Sequence, residues 1–408
     1  METRGKYQFW LCDDQGNRLS LLDGYSFFSY SRSCIGFGTI EIGLPHRMIV
    51  RPSIFFQPDW RIDVWRRSSE DTPFRRECSF LLRKYTVYQR ASDGTLMIIY
   101  YGRSPIDILR RFGAHWLTLD GPTQRKDDGS VEDYTYYWDT SSAFFGTIRD
   151  MMHELANGTF TPDVSVVEEY RGYLGSGKSF YNDPLSPGIA NYYTYGQTVL
   201  DILTELRQTS VSQNEVDPTQ SKVYFDVVEI ERPVTGTAPA FQYEFRTYIG
   251  LRGVDRTENG VVFSPENGNV ANPVLSEDWL DESNAIIVKN MSAKLAAVVY
   301  NPLTYTVSGM NKCYKFVQSS SGKTADLYTE ARALLKKNER TRTISTEFID
   351  SPGGPRQPRS LYGLDWDLGD KVNVRFIGVT IQTEILIVYV SMDEEGKENV
   401  LGRNEVGS

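Results

Sequence analysis

Over most of the first 118 residues the chain alternates apolar and polar positions with a period of two. "GFGTIEIGLP", "WRIDVWRR", "CSFLLRKYTVYQR" and "TLMIIYYG" all show it between Gly, Pro, Asp and Ser punctuation, the pattern of strands that keep one face on a core. Ser92, Asp93 and Gly94 supply the turn of a predicted hairpin. A short predicted helix closes the block. Ser104 caps it, Pro105 takes the first helical position, Asp107 completes a Ser-x-x-Asp box, and Ile106, Leu109 and Phe112 share a face. Residues 1–118 therefore read as one β-barrel or sandwich with an appended helix.

Residues 119–220 have a different character. A polar loop, "DGPTQRKDDGSVED", precedes Phe144, Phe145, Ile148, Met151, Met152 and Leu155. These recur at helical spacing after Ser141 and Ser142, and Gly158 ends the run, which predicts a helix with an apolar, core-facing stripe. A second predicted helix carries Val199, Ile202, Leu203 and Leu206, and "RQTSVSQNEVDPTQ" reads as a linker. From residue 221 to 408 the strand pattern returns in "KVYFDVVEI", "FQYEFRTYI", "NAIIVKN" and "KLAAVVYN". One helix interrupts it at about 324–338, with Leu327, Ala331, Leu334 and Leu335 on one side and Lys336 and Lys337 at its end, where the helix dipole favours cations. Two alternating strands follow near the end of the chain. The fold class is α+β, β-dominated, with a helix-containing middle domain between two β-rich ones.

Composition narrows the class of protein. The 408 residues exceed the size at which a single core usually stops growing, and 40% apolar with 24% charged residues is a globular balance. The first residues carry charge where a signal peptide would be apolar, and the longest strongly apolar run, Ile385 to Val390, is too short to span a bilayer. The expectation is a protein folded in a cytoplasm, without stable membrane insertion. Cys12, Cys34, Cys78 and Cys313 lie far apart, and so do His46, His115 and His153. That spacing suits neither a disulfide framework nor a zinc site.

The net charge of −9 is unevenly spread. Residues 1–118 hold 17 Lys and Arg against 12 Asp and Glu, a balance of +5, while residues 119–408 carry −14. This allows two solvated surfaces or two different neighbours, and it disfavours sequence-independent nucleic-acid binding, which needs clustered cations.

One motif invites a catalytic reading. "GYLGSGKSFY" matches G-x-x-x-x-G-K-[ST] at Gly172, Gly177, Lys178 and Ser179, the signature of a loop that cradles nucleotide phosphates at the start of a helix. Pro184 and Pro187 follow within nine residues and forbid that helix. The match is read as a decoy whose Lys178 points to solvent. "DWDLGD", Asp365 to Asp370, has the recurring carboxylates of a calcium loop, but Phe376 stands where a bidentate Glu is required. It reads as a tight turn feeding a strand. A carboxylate pair for glycoside hydrolysis stays open, because sequence gives no separation between acids. No Ser/His/Asp or Cys/His arrangement stands out, so no catalytic residue, cofactor or metal is expected.

The order of several segments carries a resemblance. "FGTIEIGLP" at Phe37 to Pro45, "GVDRTENGVVFSPENGNV" at Gly253 to Val270, "NAIIVKN" at Asn284 to Asn290 and "YGLDWDLGDKVNV" at Tyr362 to Val374 together resemble the siphophage tail-tip hub proteins related to baseplate hubs. The resemblance runs from about Tyr25 to Val406 and is strongest after Phe241. It implies two tail-tube-like β-barrel domains, residues 1–118 and 221–408, flanking an intervening helix and loop domain at 119–220. It also implies a homotrimeric ring that closes the tail tube, adapts sixfold to threefold symmetry and passes DNA only in transit. Implied neighbours are the distal tail protein, the tape-measure protein and other tail-tip or fibre proteins, in a virion assembled in the host cytoplasm. No hydrolase domain is expected after the last strands. Trp366, Asp365, Asp367, Gly369 and Asp370 are then structural residues of the final β domain. A receptor- or glycan-binding tail protein, suggested by the Tyr and Trp content, is the alternative, and an enzyme is a third.

Overall fold

The computed structural model describes residues 6–13, 16–45, 57, 59–68, 72–91, 93–111, 117–125, 131–138, 143–149, 152, 174–175, 186–187, 189–193, 197–216, 220–231, 241–258, 260–278, 282–301, 313–319, 322–338, 341–355 and 357–404. The first strands are β1 (Tyr7–Cys12), β2 (Arg18–Leu21), β3 (Phe27–Ser33), β4 (Thr39–Pro45), β5 (Arg61–Arg66), β6 (Arg75–Gln89) and β7 (Leu96–Arg103), and a 3-10 turn spans Pro105–Arg111. The middle holds β8 (Leu117–Arg125), β9 (Val131–Trp138), β10 (Ala143–Thr147), β11 (Leu174–Gly175), β12 (Ser186–Pro187), β13 (Ile189–Tyr193), α1 (Val199–Val216) and β14 (Gln220–Ser221). Then come β15 (Val223–Glu231), β16 (Phe241–Ile249), β17 (Val262–Phe263), β18 (Val270–Asp278), β19 (Ala285–Asn290), β20 (Leu295–Tyr300), β21 (Tyr314–Gln318) and α2 (Thr324–Lys337). The last are β22 (Thr341–Ile349), β23 (Lys371–Phe376), β24 (Val379–Glu384), β25 (Ile387–Met392) and β26 (Glu398–Arg403). The architecture is α+β and dominated by strands.

One sheet of 11 strands organises the molecule, in the order β18-β22-β26-β25-β3-β4-β7-β6-β5-β1-β2. It contains two runs of strands, one from each end of the chain. They meet at an antiparallel seam between β25 and β3, in register from Ile387 opposite Ser33 to Met392 opposite Phe28. The sheet is thus continuous between residues 1–118 and 221–408, and so is the core. Phe9, Phe28, Ile42 and Ile62 belong to the same buried cluster as Phe348, Trp366, Val388 and Val390. Within it the rings of Tyr7, Phe9, Tyr25 and Phe28 pack with centroids 4.8–5.4 Å apart in the pairs that involve Phe28 or join Phe9 to Tyr25, all tilted or edge-on, geometries that suit the ring quadrupoles.

A second core forms where α1 packs on β15, β16 and the 3-10 turn, through Ile202, Leu203, Leu206, Val227, Phe245 and Leu109. Ile148 and Met152, from the apolar stripe of the middle segment, are buried there too. A third and smaller layer sets α2 on the three-stranded sheet β20-β19-β21, where Leu327 and Ala331 cover Ile286, Val288 and Ala297. The face of α2 expected from its spacing is the face that packs.

Three local expectations are corrected. Ala143–Thr147 is a strand, paired with β13 from Ala143 opposite Tyr193 to Thr147 opposite Ile189, rather than the first turns of a helix. Two aromatic residues followed by Gly146 and a β-branched Thr147 form a poor helix start and a good strand. The supposed linker after Leu206 is helical as far as Val216. Ser210 stabilises it: its Oγ donates to the Arg207 carbonyl at 2.7 Å and accepts from the Val223 N–H at 2.9 Å. The Ser104–Asp107 capping box does not form either. Ser104 Oγ accepts from the Gly38 N–H at 2.9 Å, and the Asp107 carboxylate turns to Arg103 at 3.0 Å and Arg110 at 3.2 Å. A box of the expected kind occurs instead at the start of α1, where Thr198 Oγ1 accepts from the Asp201 N–H and donates to the Asp201 carboxylate.

Candidate functional site

The turn at residues 360–370 is where the two ends of the chain are tied together, and its order follows from its sequence. Gly369 adopts φ +86°, a left-handed conformation that costs glycine little, and its N–H donates to the Ile385 carbonyl at 2.8 Å. Asp370 lies immediately before β23 and is 1% exposed. Its Oδ1 accepts from the Val254 N–H at 2.8 Å, and its Oδ2 accepts from the Asp367 N–H at 2.8 Å and from Arg256 Nε at 2.5 Å. A buried carboxylate is costly unless it is paired and hydrogen-bonded. Asp370 has both, and so clamps the 253–256 segment to the turn.

Trp366 is fully buried. Its ring meets Tyr362 at 5.1 Å, Phe263 at 6.1 Å and Phe348 at 6.5 Å between centroids, and its Nε1–H donates to the Ser360 carbonyl at 3.2 Å. Gly402 on β26 leaves the space for it, since a Cβ there would lie 2.9 Å from Trp366 Cζ3. Asp365 accepts both arms of the Arg359 guanidinium, at 2.8 and 2.9 Å, and the Leu361 N–H at 2.8 Å. Burial opposes its charge, but the Arg359 fork and that N–H outweigh it and hold the carboxyl below its usual range. Asp367 is half-exposed, accepts from Arg32 Nη1 at 2.9 Å and thereby reaches β3.

Several partners of the turn come from the other end of the chain. Tyr362 donates to Glu77 Oε1 at 2.5 Å and accepts from Arg32 Nη1 at 2.6 Å, while Tyr30 donates to Glu77 Oε2 at 2.9 Å. Arg66 Nη1 donates to the Tyr362 carbonyl at 3.0 Å. Burial drives the phenol pKa of Tyr362 well up, so it stays a donor. Trp366, Asp365, Asp367, Gly369 and Asp370 thus sit in one turn, whereas Arg32, Arg66, Glu77 and Arg256 were missed. The only signal of Arg32, Arg66 and Glu77 in the sequence is a charged residue inside an alternating strand, and Arg256 lies in a turn segment; neither names a partner far along the chain.

Burial pushes the Cys12 and Cys34 thiols up to about 12, which keeps them protonated and poorly nucleophilic. Among the described residues no group of three or more His, Cys, Asp or Glu is placed to hold a metal ion, and no helix is long and apolar enough to cross a membrane. Gly172, Gly177, Lys178 and Ser179 lie outside the described residues.

The arrangement of the whole chain is shared with a solved structure. The 43 kDa tail protein of prophage MuSo2 from Shewanella oneidensis superposes with a TM-score of 0.53 at 12% identity, over 98% of this chain and 97% of that one. This chain has the fold of a prophage tail protein. A tail protein from Neisseria meningitidis aligns over 98% of this chain and 96% of its own at 12% identity and a TM-score of 0.49. A prophage tail protein from Listeria monocytogenes gives 98%, 95%, 11% and 0.49. No family model matches the sequence, and no curated protein does.

Proposed function

We propose that this chain is a structural hub of a phage tail tip or baseplate. In this reading three copies form a ring that closes the tail tube, adapts its sixfold symmetry to a threefold tip and passes DNA during ejection. The distal tail protein, the tape-measure protein and other tail-tip or fibre proteins are its neighbours in the virion. The observation that carries the reading is the continuous sheet. One chain supplies two runs of strands, β3-β4-β7-β6-β5-β1-β2 and β18-β22-β26-β25, joined edge to edge at the seam. Two barrel-like units per subunit are what a threefold ring needs in order to present six similar units to a sixfold tube. The prophage tail-protein fold over nearly the full chain supports it, as does a turn devoted to holding the two runs together. The role is structural rather than enzymatic, with division at 1–118, 119–220 and 221–408.

The deciding experiment is the mass of the purified protein, alone and with its tail neighbours, together with images of the particles. A threefold ring is expected. A protein that stays monomeric with those neighbours present would overturn the reading. The glycan-binding alternative has one observation in its favour: Tyr300, Tyr314 and Phe316 are exposed on the sheet β20-β19-β21, Phe316 by 64%. Retention on a glycan array, lost on Phe316→Ala, would favour it.

A further inference from the structure

Beneath the contact between β15 and the first block lies a group of buried charges that the tail reading does not use. Asp63 on β5 is fully buried and the Glu229 side chain on β15 is 3% exposed. Ser79 on β6 stands between them. Its Oγ lies 2.8 Å from Asp63 Oδ1 and also within hydrogen-bond reach of Glu229 Oε2. A serine hydroxyl carries one proton. If both carboxyls are ionised, one of them faces an oxygen lone pair.

The surroundings decide which of the two keeps a proton. Asp63 has Arg61 Nε at 3.0 Å and the Cys12 thiol at 3.6 Å. The guanidinium nitrogens paired with Glu229 are farther away, Arg76 Nη1 at 3.6 Å and Arg61 Nη1 at 3.7 Å, and Glu229 Oε1 has no hydrogen-bond partner. Glu229 is therefore the carboxyl placed to keep a proton; when protonated it would donate to Ser79 Oγ, leaving the Ser79 hydroxyl to donate to Asp63 Oδ1.

We propose that Glu229 holds a proton that it donates to Ser79, and that its loss loosens the Glu229 end of β15 from β5 and β6, a pH-sensitive latch inside the fold. The proton passes from Glu229 Oε2 to water in the adjoining cavity of about 230 Å³, which Ser79, Arg76, Glu77, Asp226 and Glu229 help to line. The groups that face Glu229 from the packed elements are Arg61 and Asp63 on β5, Arg76, Cys78 and Ser79 on β6, and Tyr243 on β16. Burial raises the Glu229 carboxyl from 4.5 to about 7, with Arg61 opposing and Asp63 adding to the rise. A carboxyl raised on folding stabilises the fold fully below 4.5, progressively less between 4.5 and about 7, and at a constant lower level above that.

The test is amide hydrogen exchange of the full chain between about pH 5.5 and pH 8, corrected for intrinsic rates, with the β23–β24 hairpin as internal reference. In the wild type the amides of residues 225–230 should lose at least about tenfold protection relative to that hairpin as pH rises. In Glu229→Gln, whose amide donates to Ser79 Oγ as the protonated acid does, the loss should vanish. Equal pH slopes at β15 and at the reference hairpin in the wild type overturn the latch without any variant. So does a slope at β15 that survives Glu229→Gln.

Discussion

Trp366→Ala tests whether the 360–370 turn anchors the core that the two ends of the chain share. The side chain is fully buried and touches the rings of Tyr362, Phe263 and Phe348. Truncating a buried Trp costs about 3–5 kcal/mol, depending on how far the site collapses. Collapse is limited here, because Trp366 packs between strands of the continuous sheet and the Asp370 clamp fixes the turn below it. The Ser360 carbonyl also loses its donor, worth about 1 kcal/mol, so the upper part of the range, about 4–5 kcal/mol, is expected. For a chain of 408 residues unfolding as one unit, an unfolding entropy of about 2 cal/mol/K per residue makes this a fall in Tm of about 5 °C. The assay is a thermal melt followed by far-ultraviolet circular dichroism and by intrinsic fluorescence, with Trp366→Phe as a control that should lose less than half as much. A Trp366→Ala melt that overlays the parent would refute the anchor and put the indole on the surface.

Other expectations follow from the same geometry. Gly402→Ala forces a methyl against Trp366 and Phe348 and should cost about 1–3 kcal/mol by overpacking in the same melt. Asp365 is held below its usual range, so its contribution is present above the unfolded carboxylate pKa and fades as pH falls through the lowered value. Asp365→Asn should remove that part of the acid-side slope, and an unchanged acid limb would contradict it. Lys178→Ala should shift stability by no more than about 0.5 kcal/mol, and ATP or GTP binding abolished by that change would contradict the decoy reading. If the protein is a ring that passes DNA, a substantial share of the carboxylates of residues 119–408, which carry −14, should face the passage, because Lys and Arg contacts would retain the backbone by counterion release. Tight, salt-sensitive binding of duplex DNA by the ring would count against this.

What could be read from the sequence was what is local. Leu327 and Ala331 recur at helical spacing, and α2 buries that face. The alternation in "CSFLLRKYTVYQR" and "TLMIIYYG" and the turn between them became the β6–β7 hairpin, paired from Leu81 opposite Arg103 to Gln89 opposite Leu96. The acids and glycines around Trp366 announced a turn by their own backbone preferences. Failures came where a short apolar run serves either period: "AFFGT" follows helical spacing, yet it pairs with β13 because a partner strand is available.

The seam between β3 and β25 lay beyond any such reading, since a strand's pattern shows that one face is buried and says nothing about which strand lies beside it. Its consequence is structural. Before β25 is in place, β3 has β4 on one side and an open edge on the other, and open edges invite wrong pairing. The contacts that cross between the chain ends, Lys6 to Glu398 at 2.9 Å, Arg32 to Asp367 at 2.9 Å and Tyr362 to Glu77 at 2.5 Å, are charge-assisted and oriented. They orient the two ends of the chain beside a junction whose hydrophobic pattern alone would tolerate a slip of two residues. The polar residues of the 360–370 turn therefore tie together residues from both ends of the chain, and the buried Trp366 adds the apolar contact to the core they share.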